Sequence, residues 1–360
     1  MEESISNSQD CFSTIVTSED INNGIKDEYS ILYSKDGTRL LKCENEQIRY
    51  YSIKNDTKVI CDEAFKSCRL LQAISIPDGI VTIGNKAFEE CESLKSLTIP
   101  NSVKNLGKQV FSFCVNLHSI IISDNVSFIG DEAFYKCVSL QAIKIPYSIT
   151  SISKLMFYGC SGLKNISIPN SIISIEKLAF SCCYGLSNIS IPDGVQSIGD
   201  YAFTWCKSLN KVQLSKTVSS IGKGIFGNCN KLKQIIVDSQ NEHYDSRGNC
   251  NAIIECKDNT LIAGCSSTKI PSSVLCVDTL AFYGCSFLHT ITFPECLASI
   301  RTEAFSGCSN LQLIHIPNAI KHIGCRAFYR CAPFKITIAR SSFNQWQHII
   351  ESLGCKVEII

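Results

Sequence analysis

Cysteine is the most reactive residue type present in quantity, at 22 of 360 residues. Thiols in that number serve as disulfide partners, metal ligands or nucleophiles, and their spacing decides between these uses. Eleven follow a phenylalanine by three residues: Cys68, Cys91, Cys114, Cys137, Cys160, Cys183, Cys206, Cys229, Cys285, Cys308 and Cys331. Seven steps of 23 residues separate the first eight, so they hold one position of a repeating unit. Equivalent side chains in stacked units lie roughly 4.7–4.9 Å apart and parallel. A disulfide needs Cβ atoms about 3.5–4.5 Å apart and facing each other, and an eleven-member column leaves one thiol over. The column is therefore expected to be buried and reduced, each thiol acting as a small hydrophobe. The other eleven cysteines, adjacent Cys182 among them, show no pair of C-x-x-C motifs at zinc spacing, so no metal is expected.

Other chemical signals are weaker. Gly222-Lys-Gly-Ile-Phe-Gly227 has the form of a dinucleotide fingerprint, but its residues are repeat residues. A fingerprint also needs a strand–turn–helix unit that a 23-residue period leaves no room for. Gly222 matches Gly84, Gly107, Gly130, Gly199 and Gly324, which is expected to reflect a turn with positive φ. His289 and His315 fall on strands of adjacent units, and two histidines without a third ligand read as surface polar residues. Asn125, Asn165 and Asn188 each begin an N-x-S sequon. No nucleophile elbow, zincin helix, phosphate loop or paired acidic motif is present, so catalysis and a bound cofactor have no support.

The elements that carry these residues follow from the repeat. Phenylalanines stand at Phe65, Phe88, Phe111, Phe134, Phe157, Phe180, Phe203, Phe226, Phe282, Phe305 and Phe328. Each unit reads V-x-x-I-G-x-x-A-F-x-x-C-x-x-L-x-x-I-x-I-P. Leu94, Leu97 and Ile99 suit a short strand with Leu97 and Ile99 on one face, closed by Pro100. Ala87, Phe88, Cys91 and Leu94 suit a single helical or 3₁₀ turn with one apolar side. A unit of 23 residues cannot bury that side alone. Stacked units can, each apolar residue resting on its equivalent in the next coil.

The repeat resembles that of the BspA-like, or Treponema-type, leucine-rich-repeat family over about residues 50 to 339. The resemblance implies an α/β repeat: a leucine-rich-repeat solenoid of 23-residue units, with short strands stacked in one long parallel sheet, a hairpin insertion and capped ends. It further implies a non-catalytic adhesion or protein-recognition protein, displayed on a cell surface or secreted. The first twenty residues lack a basic segment followed by an apolar one, which taken alone reads as cytoplasmic.

Six segments are expected. Residues 1–25 form a polar, loosely held tail, and 26–57 an N-terminal hairpin cap turning at Asp36-Gly37. Repeats fill 58–238 and 268–339. Between them, 239–267 is a hairpin insert turning about Lys257-Asp258-Asn259. Residues 340–360 form a cap with a helix over Ser342–Leu353 and a strand from Lys356 to Ile360.

Thirty-four basic against 33 acidic side chains leave a formal charge of +1, which gives no field for nucleic acid or an anionic membrane. No apolar run is long enough to insert in a bilayer. The remaining candidate is the exposed side of the strands. With Ile143 and Ile145 inward, alternation sends Ala142 and Lys144 outward. The same offsets select Asn165 and Ser167, Asn188 and Ser190, Lys211 and Gln213, Gln234 and Ile236, Thr290 and Thr292, and Leu313 and His315. A row of small, amide-bearing side chains on a sheet roughly 60 Å long, at about 4.8 Å per strand, suits an extended partner better than a small molecule. The expected partner is a protein, including a host or cell-surface protein, or a glycan, and the chain itself is expected to be a monomer. The alternative is a structural spacer within a larger assembly.

Overall fold

The structure is a computed structural model that describes residues 13–331, 334–338, 347 and 356–359. The chain winds into a solenoid whose coil carries two strands. The first, from L-x-x-L-x-I, forms an outer face: Ser96–Ile99 pairs parallel with Ser119–Ile122, and Lys211–Leu214 with Asn188–Ser190 and Gln234–Val237. The second, from V-x-x-I, forms a flank, as where Ser151–Ile152, Ser174–Ile175, Ser197–Ile198 and Ser220–Ile221 stack in order. Both keep the register of one period, Ile120 opposite Leu97 and Ile175 opposite Ile152. Two ladders therefore replace the single long sheet read from the sequence. The face ladder is also interrupted: residues 165–168 lie outside any strand, between Ala142–Ile143 and Asn188–Ser190.

The segment around each phenylalanine is a run of turns and contains no helix. Two residues per coil, two before and two after the phenylalanine, adopt positive φ: Glu63 and Ser67 at 60° and 59°, Lys86 and Glu90 at 57° and 60°. Those reversals stop helical winding and turn alternate amides toward the neighbouring coil. Glu63, Phe65 and Ser67 donate their N–H groups to Asn85, Ala87 and Glu89 carbonyls at 2.7–2.8 Å, while Lys66 and Cys68 bond within the coil. The expected helical or 3₁₀ turn thus becomes a third inter-coil ladder, which accounts for its buried polar backbone.

The repeated glycine has a different cause from the one expected. Gly84, Gly107, Gly130, Gly199, Gly222 and Gly324 do not have positive φ. A Cβ on Gly107 would stand 2.5 Å from the Asn85 amide nitrogen, and one on Gly130 2.6 Å from that of Lys108. Close approach of backbones excludes the side chain.

The phenylalanines stack along the axis inside the coils, Phe65 to Phe88 at 5.4 Å and Phe157 to Phe180 at 5.3 Å, nearly coplanar. The stack ends at Phe226, whose ring tilts 32° from Phe203, and resumes at Phe282 against Phe305. Among the described residues the buried side chains form two large cores, one from Ile31 to Cys265 and one from Cys250 to Ile338, and a small cluster of Leu32, Leu41, Val59 and Cys61 in the first cap.

Hairpins begin both stacks. Ile31–Tyr33 and Arg39–Cys43 are antiparallel, and the second strand runs parallel to Val59–Ile60, with Leu40 opposite Ile60. Ala252–Glu255 and Thr260–Gly264 repeat this: antiparallel, with Leu261 opposite Val277 of Cys276–Val277. In each, a further short strand pairs antiparallel on the outside, Ile25–Lys26 in the first and Tyr244–Asp245 in the second. The insert is thus built as a second N-terminal cap. The turn ladder nonetheless passes straight across it, Asn228 N–H donating to the Tyr283 carbonyl at 2.9 Å.

The N-terminal segment packs on the first cap. Helix Ser18–Asn23 is capped by Thr17, Arg39 reaches Asp20 at 2.7 Å and the Ile15 carbonyl at 2.6 Å, and the Asp62 amide donates to the Thr14 carbonyl. At the other end, Lys356–Ile359 continues the face in parallel register with Lys335–Ile338. The helix expected over Ser342–Leu353 lies outside the described residues except for Gln347, which is helical.

Candidate functional site

Alternation along the face strands sorts their side chains as the leucine and isoleucine positions demand. Leu97 and Ile99, Ile120 and Ile122, and Ile143 and Ile145 are buried, and the residues between them are exposed. Lys144, Asn165, Ser167, Asn188, Ser190, Gln213, Gln234, Thr290 and Thr292 are all exposed; Lys211 and His315 are half-buried. Lys211 lies opposite both Asn188 and Gln234 in the ladder, and Gln213 lies opposite Ser190. Asn165 and Ser167 belong to the coil that leaves the ladder. Thr290 bridges to Leu313 beyond the insert, so it shares a surface with His315 rather than with Gln234.

His289 and His315 do not converge. The His289 Nδ1 atom is paired with the Phe287 carbonyl at 2.9 Å, and the His315 Nδ1 atom with Thr337 Oγ1 at 3.0 Å. Among the described residues no three histidine, cysteine or acidic side chains group as metal ligands.

Large exposed apolar side chains stand at both the N-terminal end of the face, where Tyr50 is 64% exposed, and the place where the ladder opens. Ile121 is 65% exposed and Tyr147 62%. A cavity of about 380 Å³ lies here, lined by Ala142, Lys144, Ile145, Tyr147, Ser167 and Pro169. Lys144 stands at its rim, 2.6 Å from Asp124 and 5.1 Å from the Tyr147 ring centroid. Asp124 also accepts from the Tyr147 amide at 3.2 Å. The Lys144 ammonium holds the Asp124 carboxyl below its ordinary value, and the carboxylate raises the lysine in return. The pair is solvent-exposed, so its contribution is orientation of Lys144 more than stability. Ile121, Asp124 and Tyr147 were absent from the sequence-derived set. Ile121 occupies the position of Lys144 one period earlier, so the same offset finds it; Asp124 and Tyr147 lie past the strand, in turns that the alternation rule does not reach.

The thiols do not form a reactive centre on this face. Cys91, Cys114, Cys137, Cys160, Cys183, Cys206, Cys229, Cys308 and Cys331 each donate to the carbonyl 26 residues earlier, at 3.0–3.3 Å. Burial pushes the thiols of Cys114 and Cys160 well up, and no disulfide joins any described cysteines.

Known proteins share this architecture. A leucine-rich cell surface protein from Faecalibacterium prausnitzii is 26% identical with a TM-score of 0.64, covering 93% of this chain and 94% of its own. A leucine-rich repeat protein from Bacteroides ovatus is 25% identical with a TM-score of 0.60, covering 94% and 90%. No curated protein sequence matches. The BspA type leucine rich repeat region matches in six copies over residues 42–161, 127–253 and 260–349. With most of its length in these repeats, their residues directing every coil just described, the chain belongs to the BspA-type leucine-rich-repeat family.

Proposed function

We propose that this protein is a non-catalytic recognition scaffold of the adhesion type, which binds a partner protein along its exposed strand face. The observation that carries the reading is the patch at the opened ladder, where Ile121 and Tyr147 stand in solvent beside the oriented Lys144 and a cavity of about 380 Å³. Large apolar side chains gathered on an exposed face mark interaction sites, and aromatic anchors set into a pocket supply most binding energy in protein interfaces. The polar row from Asn188 to Gln234 extends the same surface and fixes the register of an elongated partner. The likeness to a cell surface protein supports a surface setting for this activity.

Site-specific photocrosslinking on the intact chain tests it. A crosslinker at Ser167 or Gln213 should capture a discrete partner from the native cell surface, and the Ile121→Glu, Tyr147→Ala variant should lose that product while remaining folded. A crosslinker on the flank, at Lys104 or Ser220, serves as control. Equal capture from face and flank, or capture indifferent to Ile121 and Tyr147, would remove the face as the binding site.

A further inference from the structure

Cys68 is the first thiol of its column, and no coil precedes it. The residue 26 before it is Lys42 of the cap strand, and the Cys68 thiol makes no bond to that carbonyl of the kind that Cys91 and Cys114 make. The place is taken by Cys43, the last residue of the Arg39–Cys43 cap strand, fixed over the first coil by the hydrogen bond from its amide to the Ala64 carbonyl. The two thiols are neighbours, each shifting the other's acidity, and the Cys43 thiol also donates to the Asn45 carbonyl at 3.4 Å. Both line a single cleft of about 570 Å³ that opens to solvent past Glu44, Glu46, Lys66 and Ser67. Elsewhere in the stack a thiol–thiol contact also occurs between Cys206 and Cys229, but there Cys206 is fully buried. In the second cap Cys265 is near Cys285 and donates to the Asn251 carbonyl at 3.4 Å, as Cys43 does to that of Asn45.

The geometry points to Cys43 and Cys68 as an oxidisable dithiol that locks the N-terminal cap to the first coil. Cys43 is the attacking sulfur: it is the more exposed of the two, at 8% against 2%, and the neighbouring Cys68 thiol holds it below the ordinary thiol value. The oxidant is a small uncharged peroxide. Two lysines and four carboxylates line the cleft, Lys42 and Lys66 against Glu44, Glu46, Asp62 and Glu63, which disfavours anionic glutathione disulfide. The Cys43 thiolate attacks one peroxide oxygen; an S–O bond forms, the O–O bond breaks, and water leaves. The Cys68 sulfur then attacks the sulfenyl sulfur of Cys43, forming the S–S bond and releasing the second water with the Cys68 proton. Two thiols are oxidised by two electrons, and one hydrogen peroxide is reduced to two waters.

The test treats the full chain with hydrogen peroxide near stoichiometry, alkylates it in denaturant, and maps linked peptides without reduction. A Cys43–Cys68 linked peptide should dominate, with Cys114 and Cys206 still free to alkylate. Cys68→Ser should leave Cys43 as a sulfenic acid trapped by dimedone, and Cys43→Ser should leave Cys68 a thiol. Glutathione disulfide should give little product at either position. The proposal is overturned if Cys43 and Cys68 both stay alkylatable while exposed Cys256, Cys296 or Cys325 is oxidised, or if glutathione caps Cys43 without the linkage. The wild-type map decides the matter even if a variant folds poorly.

Discussion

The Cys137 thiol donates to the Phe111 carbonyl across 3.1 Å, joining a cysteine to the coil before its own. Because the same bond recurs along the column, each coil is tied to its neighbour through the residue that lies three positions after the stacked ring. Phenylalanine and cysteine are thus two halves of one inter-coil contact, and the interior should respond to changes in either.

Phe157 lies between Phe134 and Phe180 at 5.5 and 5.3 Å and is almost fully buried. Phe157→Ala should cost about 3–5 kcal/mol, the range for emptied aromatic core positions. Ser167→Ala on the exposed face should change stability by less than about 0.5 kcal/mol. Denaturant titration of the two variants checks both, and similar losses would invalidate the inward and outward assignments.

The glycine of the Gly107 position and the left-handed residues occupy different places in the coil, so they respond oppositely to substitution. Gly107→Ala forces a Cβ into the backbone of the preceding coil and should destabilise by about 1–3 kcal/mol. Glu303→Gly, at φ 54°, relieves a left-handed residue and should be neutral or stabilising within about 1 kcal/mol. Melting curves that ranked them the other way would contradict the close-approach explanation.

Raised thiol pKa values make the stack sensitive to alkali. Cys114, Cys137 and Cys160 keep their protons when folded because burial disfavours the thiolate. Unfolded thiols ionise near pH 8.5. The folded state therefore holds more protons above that pH, so this stabilisation is complete below about pH 8.5 and falls as pH rises toward the folded values. Each such thiol adds up to about 1.4 kcal/mol per pH unit to the decline. The triple variant replacing these three with alanine should start less stable and lose less between pH 8.5 and 10.5, as followed by urea unfolding at each pH.

Untreated protein should carry its cysteines as thiols. Alkylation in denaturant without prior reduction should modify close to all 22, and a reducing agent should leave the melting temperature unchanged. A mass showing many disulfides would mean that the column had been assigned the wrong chemistry.

Two cores imply two cooperative units. Phe157→Ala should lower the transition of the N-terminal stack, and Phe305→Ala that of the stack beginning at Phe282. Hydrogen exchange resolved by segment separates them. One common transition shifted equally by either variant would mean that the turn ladder from Asn228 to Tyr283 couples the stacks completely.

The repeat was legible because Phe, Cys, Leu and Ile recur with a period that only stacking satisfies, and both hairpins followed from their turn residues at Asp36-Gly37 and Asn259. The turn ladder was not legible. Its left-handed positions hold Gly159, Gly224, Gly284, Gly307 and Asn228 in some coils but Glu, Lys, Gln, Leu and Tyr in others, residues with no preference for positive φ, and the inter-coil hydrogen bonds that keep them there are invisible in a single unit. Glycine was misread for the complementary reason, since close approach depends on the coil beside it. On the face, alternation found the exposed side of most of the polar row, with Lys211 and His315 half-buried and Asn165 and Ser167 outside the ladder, while Asp124 and Tyr147 depend on where the turn after each strand folds back. The bond from Arg39 to Asp20 spans 19 residues with no periodic signature, so the packing of the N-terminal segment had no signal to read.

A hairpin that starts a stack in the middle of the chain also works as punctuation. Each stack has its own beginning, so a whole 23-residue word can be added or removed after either hairpin without altering the phase of the later coils. Reach along the axis is then set by counting coils, separately for the surface before the second hairpin and the surface after it. The patch around Ile121 and the row around His315 could be moved apart in steps of one coil while each kept its own side-chain pattern.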